Sequence, residues 1–262
     1  MDYGIKGKKA LVTGSAVGIG KAIAVDLAKE GVKVVLTSRN EKELSKVMEQ
    51  IGGRKAGHYA MICNLMDEDG PKKLFDDIQK NIGEIDIVVN NIGSTLEIKD
   101  PYCSISDWRK MFRLNLEIAI ELNDLFIQNM KKKDWGRLVN ISSTASMENN
   151  GPVTFCSAKA SLTAYTRSMG RVLAIETDNV VMSAVLPGAV VTEGGHWERV
   201  LRENPEQAEK YLKERCPLGR FGKPEEVSPM VVFLCSEAAS FCQGTITPVD
   251  GGQSRHYFNT GD

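Results

Sequence analysis

The sequence predicts an α/β protein built on a doubly wound parallel sheet with helices on both faces. Short apolar, β-rich segments alternate along the chain with segments of helical periodicity, from Lys9 to Val249. A glycine-rich turn follows the first strand and opens the first helix. Strands separated by helices imply right-handed crossovers, and therefore parallel strands that are covered on both sides.

The first elements follow from their residue patterns. The first strand is a short apolar run that ends in the glycine-rich turn, and the first helix places Ile23, Leu27 and Ala28 on one side. The second strand is β-rich and apolar, and the second helix is closed by Gly52-Gly53. The predicted ranges are strands at 9–13, 33–37 and 58–62, with helices at 19–29, 41–51 and 67–81.

The second half of the chain contains two long helical stretches. The predicted strands are 85–89, 136–141, 180–186 and 245–249, and the predicted helices are 107–131, 153–176 and 224–234. A polar segment at about 193–216 interrupts the alternation, and we expect it to form a mobile lid. No linker, low-complexity tract or repeat divides the chain, so a single domain spanning 1–262 is predicted.

Composition excludes several classes of function. The chain has 262 residues, 42% apolar and 26% charged, with a net charge of −1, which is ordinary globular composition and argues against nucleic acid as a partner. No apolar run approaches the roughly 20 residues that cross a bilayer, so no membrane contact is expected. Six scattered cysteines without a C-x-x-C pair favour a cytoplasmic protein with reduced thiols and no metal site.

The turn after the first strand has the pattern of a phosphate-binding loop. Gly14 permits a tight turn, Gly18 allows backbone to approach a pyrophosphate, and Gly20 lets the helix pack close to the sheet. The free N–H groups of the helix start would then face the phosphates. The predicted contact residues are Gly14, Ser15, Ala16, Val17, Gly18, Ile19 and Gly20. The alternative is a purely structural turn in a Rossmann-like fold.

The spacing Gly-x-x-x-Gly-x-Gly resembles the cofactor motif of the classical short-chain dehydrogenases/reductases. Further matches lie at 90–93, 142, 155–159, 187–192, 219–226 and 249–252, so the resemblance covers residues 8 to 252. It implies an NAD(P)-dependent oxidoreductase that interconverts a secondary alcohol and a carbonyl by hydride transfer. In this family the long central helices pair across two-fold axes, which implies a homodimer or homotetramer.

The end of the second strand indicates which nicotinamide cofactor binds. An acid at this position would accept hydrogen bonds from an adenine ribose and repel a 2′-phosphate. The chain instead has Ser38 and Arg39, which can both bind a phosphate. NADP(H) is therefore favoured, with NAD(H) as the alternative cofactor. Arg39 could otherwise be a solvated residue at a helix start.

The resemblance assigns the remaining cofactor contacts. Asn64-Leu65 corresponds to an adenine-binding Asp-hydrophobic pair, with Asn in place of Asp. Asn91 and Gly93 belong to a turn that stabilises the central sheet and lines the cofactor. The full set that the resemblance implies is Asn64, Leu65, Asn91, Gly93, Lys159, Pro187, Gly188, Val190 and Thr192.

The expected catalytic group is Asn115, Ser142, Phe155 and Lys159. Ser142 lies 13 positions before Phe155 and Lys159 lies four after it, which resembles the family's Ser…Tyr-x-x-x-Lys arrangement. A lysine on the same helix face lowers the pKa of a phenol, and the serine orients the substrate oxygen. By resemblance, Asn115 holds a water that links the lysine to solvent.

Phe155 occupies the position of the phenol, and a phenyl ring has no proton to exchange. Three explanations are open: a deliberate Tyr→Phe replacement that inactivates the enzyme, a natural enzyme that uses water or Lys159 as the acid, and a pseudoenzyme. We favour the first, because Asn115, Ser142 and Lys159 are all retained. The rival class of function is a non-catalytic nucleotide-binding sensor or scaffold.

The substrate is expected to be a polar small molecule, such as a sugar or a hydroxy acid. The predicted lid contains His196, Trp197, Arg199 and Arg202, and buried polar groups in a pocket require polar partners. The alternative is that these charges form the solvated outer face of lid helices. The tail at 254–262 is expected to reach a neighbouring subunit.

Overall fold

A computed structural model of the protein describes residues 2–254, and its strands form a seven-stranded parallel sheet. The strands are β1 Lys9–Thr13, β2 Lys33–Ser38, β3 Tyr59–Ile62, β4 Ile87–Asn90, β5 Gly136–Ile141, β6 Val180–Pro187 and β7 Ile246–Val249. Their order is β3-β2-β1-β4-β5-β6-β7. The predicted fold class is confirmed. Apart from Ser254, the tail that was expected to reach a neighbouring subunit lies outside the described residues.

Helices cover both faces of the sheet. They are α1 Gly18–Lys29, α2 Glu41–Gln50, α3 Gly70–Asn81, α4 Ile105–Phe112, α5 Ile118–Lys133, α6 Val153–Glu176, α7 His196–Glu203, α8 Pro205–Arg215 and α9 Pro224–Leu234. One apolar core joins α1, α2 and α9 to the sheet, and the other joins α3, α5 and α6. Alternate strand residues such as Val12 and Leu11 enter opposite cores, as the two-residue period of a strand requires. Within residues 2–254, none of the helices combines the length and apolar character needed to cross a bilayer.

The helical stretch predicted for 107–131 is present at 105–133, and it contains one irregular turn that the sequence did not predict. A π-helical turn at Arg113–Glu117 separates α4 from α5. The Asn115 side chain donates to the Met111 carbonyl at 3.0 Å, so it competes with the backbone of its own helix at this turn. The polar segment after β6 forms α7 and α8, divided where Asn204 caps the second helix and Pro205 begins it.

A buried arginine anchors the start of β5, the strand that ends at the serines of the site. The Arg137 side chain is fully buried. Its guanidinium donates to the carbonyls of Ser236 and Asn179 and to the Asn179 side chain, at 2.8–2.9 Å. It also stacks over the Trp135 ring at 4.7 Å from the centroid. Arg137 therefore ties β5 to the start of β6 and to the turn after α9.

We expect Arg137→Ala to lower the free energy of unfolding by about 2–5 kcal/mol, because it leaves buried acceptors unpaired and opens a cavity. Chemical denaturation followed by circular dichroism measures this change. Lys132→Ala is the matched control, since this exposed lysine should change stability by less than about 0.5 kcal/mol. Equal stability of the two variants would contradict the assigned role of Arg137.

Candidate active site

The candidate site is a cavity at the carboxyl ends of the strands. The chain runs outward from β1 to β3 on one side and from β4 to β7 on the other, so the strand order reverses between β1 and β4. Open α/β sheets bind ligands at this switch point. Here the cavity has a volume of about 710 Å³ and is lined by the ends of β1, β2, β4, β5 and β6.

The glycine-rich turn forms one wall of the cavity, as predicted. Gly14 and Gly18 have positive φ angles of 62° and 58°, which glycine adopts without strain. Val17 caps α1 without a side-chain hydrogen bond, so the N–H groups of the first turn stay open towards the cavity. Of the seven predicted residues of this turn, all but Ser15 and Gly20 line the cavity.

Ser15 and Gly20 support the turn from behind. The Thr37 backbone N–H donates to Ser15 Oγ at 3.0 Å, which joins the turn to the end of β2. A Cβ atom on Gly20 would lie 2.4 Å from Asn91 Nδ2 and 2.4 Å from the Gly14 carbonyl oxygen. Asn91 Nδ2 itself donates to the carbonyls of Thr13 and Gly14, at 2.9 and 3.2 Å. The helix, the turn and the end of β4 therefore meet at a point where only glycine fits.

The end of β2 carries the two residues predicted to select the cofactor. Ser38 and Arg39 line the cavity, and the Arg39 guanidinium forms no ion pair with any described acid. Thr37 lines the same wall and its buried Oγ has no hydrogen-bond partner there, a polar group that the sequence did not single out. Between β3 and α3, Asn64 and Leu65 also line the cavity.

The loop after β6 lines the opposite end. Pro187, Gly188, Val190 and Thr192 all contact the cavity, as predicted. The loop is fixed by backbone hydrogen bonds to Gly222, and by Gln253 Oε1, which accepts from the Ala189 N–H at 2.8 Å. This loop packs closely against the glycine-rich turn. A Cβ atom on Gly18 would lie only 3.0 Å from Thr192 Cγ2.

Lys159 lies at the base of the cavity, and its side chain is almost completely buried. Nζ donates to the Ile141 carbonyl at 2.9 Å. Burial lowers the lysine pKa to about 8. A Cβ atom on Gly93 would lie 2.9 Å from this nitrogen, so the glycine of the predicted turn makes room for the ammonium group.

The two serines that follow β5 have different surroundings. Ser142 Oγ donates to the Lys159 carbonyl at 3.1 Å and lies 3.1 Å from Thr163 Oγ1, so its hydroxyl is bound to α6. Ser143 Oγ accepts from the Ala145 N–H at 3.1 Å and donates to no group in the described part of the chain. Both serines line the cavity. The expectation placed the substrate-orienting hydroxyl on Ser142, whereas the structure leaves the Ser143 hydroxyl available.

Asn115 lies behind this group rather than on the cavity wall. Its Nδ2 donates to the Ser94 carbonyl at 2.9 Å, and its Oδ1 accepts from the Ser94 N–H at 3.1 Å. The side chain is buried and holds the segment that follows β4 against the π-helical turn. Oδ1 would also lie 2.9 Å from a Cβ on Gly93, so Asn115 and Lys159 flank the same glycine.

Phe155 faces the cavity one helical turn before Lys159. The lysine Nζ lies 5.9 Å from the centroid of the Phe155 ring. The neighbouring Cys156 is not a replacement acid, because its thiol donates to the Gly151 carbonyl at 3.4 Å and burial raises its pKa. Of the expected catalytic group, Ser142, Phe155 and Lys159 line the cavity and Asn115 does not, and no tyrosine of the described chain lines the cavity in place of Phe155.

The segment predicted as a lid covers the mouth of the cavity. Trp197 of α7 packs against Tyr211 of α8 and against Phe221, with ring centroids at 4.2 and 4.7 Å. Arg199 forms a 2.7 Å ion pair with Glu97, which belongs to the segment after β4. Both residues of this pair line the cavity, and sequence spacing could not have matched residues so far apart.

The residues present fit a nicotinamide dinucleotide. The cavity volume lies in the range of cofactor sites, one end offers open helix N–H groups and an unpaired guanidinium, and the other holds a buried amine beside two serines. In the described residues, no cluster of His, Cys, Asp and Glu side chains could hold a metal ion. The fold and the site together define a protein of the dinucleotide-binding class.

Comparisons with known proteins define the family. A family model described as enoyl-(acyl carrier protein) reductase matches residues 14–254. The 3-oxoacyl-[acyl-carrier-protein] reductase FabG of Aquifex aeolicus is 40% identical over 256 residues, covering 96% of this chain and 99% of the relative. The chain belongs to the short-chain dehydrogenase/reductase family, as its motifs indicated.

Solved structures agree with this assignment. L-sorbose reductase from Gluconobacter frateurii, complexed with NADPH and L-sorbose, superposes with a TM-score of 0.87 at 26% identity, covering 97% of this chain and 98% of the other. A putative NAD(P)-dependent gluconate 5-dehydrogenase from Beutenbergia cavernae with bound NADP has a TM-score of 0.85 at 29% identity, with 97% and 99% coverage.

We expect Arg39→Ala to weaken NADPH binding by roughly 10–100-fold, because a charge-assisted hydrogen bond contributes about 1.5–3 kcal/mol. NADH binding should change little, since NADH lacks the 2′-phosphate. Isothermal titration calorimetry with both nucleotides measures the difference, and Arg171→Ala, an exposed arginine on α6, is the control. Equal losses for NADPH and NADH would show that Arg39 does not recognise the phosphate.

Proposed function

We propose that the protein is an NADP(H)-dependent oxidoreductase that interconverts a secondary alcohol and a carbonyl on a polar small molecule, in a form whose proton transfer is impaired by Phe155. One observation carries the proposal: a buried ammonium, a hydroxyl free to donate and a phenyl ring in place of a phenol share one end of a dinucleotide-sized cavity. The 40% identical reductase and the NADP-bound structural neighbours support the cofactor and the reaction class.

Different residues of the chain bind the cofactor and take part in the reaction. The bound nicotinamide supplies or accepts the hydride. The open N–H groups of α1 and Arg39 bind the phosphate end, while the loop at 187–192 holds the opposite end. Ser143 donates to the substrate oxygen and stabilises the negative charge that develops there. Lys159 places a positive charge beside this oxygen in a poorly solvated position.

The substrate end of the cavity supports a polar substrate. Its wall includes Ser94, Thr95, Ser143 and His196, together with the ion pair between Glu97 and Arg199. These groups require hydrogen-bonding partners when a ligand displaces water. Two of the structural relatives are named for L-sorbose and gluconate, which agrees with a sugar or a hydroxy acid as substrate.

We also propose that the enzyme works in the cytoplasm as a homodimer or homotetramer. All six cysteines lie in the described part of the chain and are free thiols. Helix α6 exposes three apolar side chains, Val153, Val172 and Ile175, which supports a subunit contact along this helix. The lid at 193–216 is proposed to open and close over the substrate.

Phe155→Tyr should raise turnover by about 10²–10⁴-fold, because it adds a phenol whose pKa the neighbouring Lys159 lowers. NADPH oxidation with a panel of sugars and keto acids, followed by absorbance, measures the gain. Phe241→Tyr adds a phenol at an exposed position and is the control. A Phe155→Tyr variant that binds NADPH and reduces no carbonyl in a broad panel would instead support a nucleotide-binding sensor.

Ser143→Ala in the Phe155→Tyr background should lower kcat/KM by about 10²–10³-fold, as expected for the loss of one oxyanion donor. Ser142→Ala should mainly lower the melting temperature, and it should lower kcat/KM less than Ser143→Ala does, because the Ser142 hydroxyl is bound to α6. Steady-state kinetics and thermal unfolding of the two variants separate these roles. The reverse pattern would return the substrate-orienting role to Ser142.

A further inference from the structure

We propose that Lys159 is itself the proton donor in this chain, and that the turnover remaining with Phe155 passes through its Nζ atom. This inference rests on the proposed oxidoreductase function and names the acid that the Phe155 form uses. It assigns to the lysine a role separate from tuning a phenol.

The position of Nζ allows this role. The atom is held by one acceptor, the Ile141 carbonyl at 2.9 Å, so an ammonium group keeps two N–H bonds for other partners. Lys159 and Ser143 line the same cavity, and so does Gly93. Because Gly93 has no side chain, residue 93 places no Cβ atom against Nζ. The proposal requires that a substrate oxygen bound to Ser143 lies close enough to Nζ to take its proton directly or through one water, as a general acid needs.

The surroundings of Nζ favour loss of its proton near neutral pH. The groups that face it are Gly93, Asn115, Ile141 and Phe155, and none of them ionises. No described carboxylate forms an ion pair with Lys159, and burial alone brings its pKa to about 8. A salt-bridged surface lysine would hold its proton too tightly for this task.

Other candidate acids near the cavity are less suitable. Cys156 is bound to the Gly151 carbonyl, and its pKa is raised by burial. His196 lies on the lid, where burial and the neighbouring Arg199 and Lys99 lower its pKa. At neutral pH this imidazole is therefore mostly deprotonated.

In the direction of reduction, the carbonyl carbon accepts the hydride of the reduced nicotinamide, and the electron pair of the C=O bond moves to oxygen. The oxygen takes a proton from Nζ as that N–H bond breaks, which leaves alcohol, oxidised nicotinamide and a neutral amine. The amine regains its proton from solvent water. In the direction of oxidation, the neutral amine accepts the alcohol proton.

The pH dependence of the unaltered protein gives the first test. At saturating NADPH and substrate, kcat for reduction should fall about tenfold per pH unit above about pH 8, because the ammonium form is required. Lys159→Arg should lower this residual turnover at least tenfold, since a guanidinium does not release a proton at these pH values. Lys132→Arg is the control. A residual rate that is unchanged by Lys159→Arg and flat to pH 10 would assign the proton to water and overturn the inference.

Chemical rescue gives a second test that does not depend on the stability of one variant. In Lys159→Ala, added ethylamine should restore turnover, whereas tetramethylammonium, which carries the charge without a transferable proton, should not. Equal rescue by both cations would show that Lys159 supplies charge alone and would contradict proton donation.

A readout independent of turnover completes the experiment. NMR titration of ¹³C-labelled lysines, with the Lys159 signal assigned from Lys159→Arg, should show the amine titrating near pH 8. A Lys159 amine that stays charged above pH 10 would overturn the inference. If Phe155→Tyr is active while these Lys159 tests fail, this inference alone is wrong. If no variant binds NADPH, the proposed function fails with it.

Discussion

The carboxamide of Asn91 holds the site together. Its Nδ2 donates to two carbonyls at the end of β1, while its backbone N–H donates to Thr13 Oγ1 at 2.9 Å. The ends of β1 and β4 are thereby fixed to each other at the point where the strand order reverses. Gly20 lets α1 approach this junction, so the same contact sets the position of the helix start. Any side chain at residue 20 would clash with Asn91 and with the Gly14 carbonyl, and would push the glycine-rich turn away from the end of β4.

A buried polar network extends this constraint to β5. Asn90 Nδ2 donates to Asn140 Oδ1 at 2.9 Å and to Asn123 Oδ1 at 2.8 Å, and Asn140 Nδ2 donates to Thr166 Oγ1 at 2.9 Å. These side chains are fully or almost fully buried, so their hydrogen bonds are costly to lose. The network links β4 and β5 to α5 and α6 directly below the site. Ser143 and Lys159, which come from β5 and α6, are therefore positioned by one rigid group.

Patterns between near neighbours in the sequence predict the strands, the glycine-rich turn and the interval between Phe155 and Lys159. They do not predict the contacts between residues that are far apart in the chain. The glycine spacing, the apolar strands and the four-residue interval between Phe155 and Lys159 each depend on near neighbours in the chain, and the sequence displays them directly. The bonds between Asn115 of the π-helical turn and Ser94, 21 residues away, are contacts that periodicity does not encode. The different hydrogen bonds of Ser142 and Ser143 depend on the direction of two adjacent side chains. Only the packing of α6 against β5 determines that direction.

Phe155 shows why fold and chemistry can be separated at this site. A phenyl ring keeps nearly the volume and shape of a phenol, so the packing of α6 and the cavity wall survive the loss of the hydroxyl. The buried side chains of Lys159 and Asn115 bond to Ile141 and Ser94, and neither of these bonds involves position 155. Because none of these bonds needs an oxygen at position 155, the site stays assembled without it. Relative to a phenol, the phenyl ring lacks a transferable proton, and the amine of Lys159, 5.9 Å from the ring centroid, still carries one.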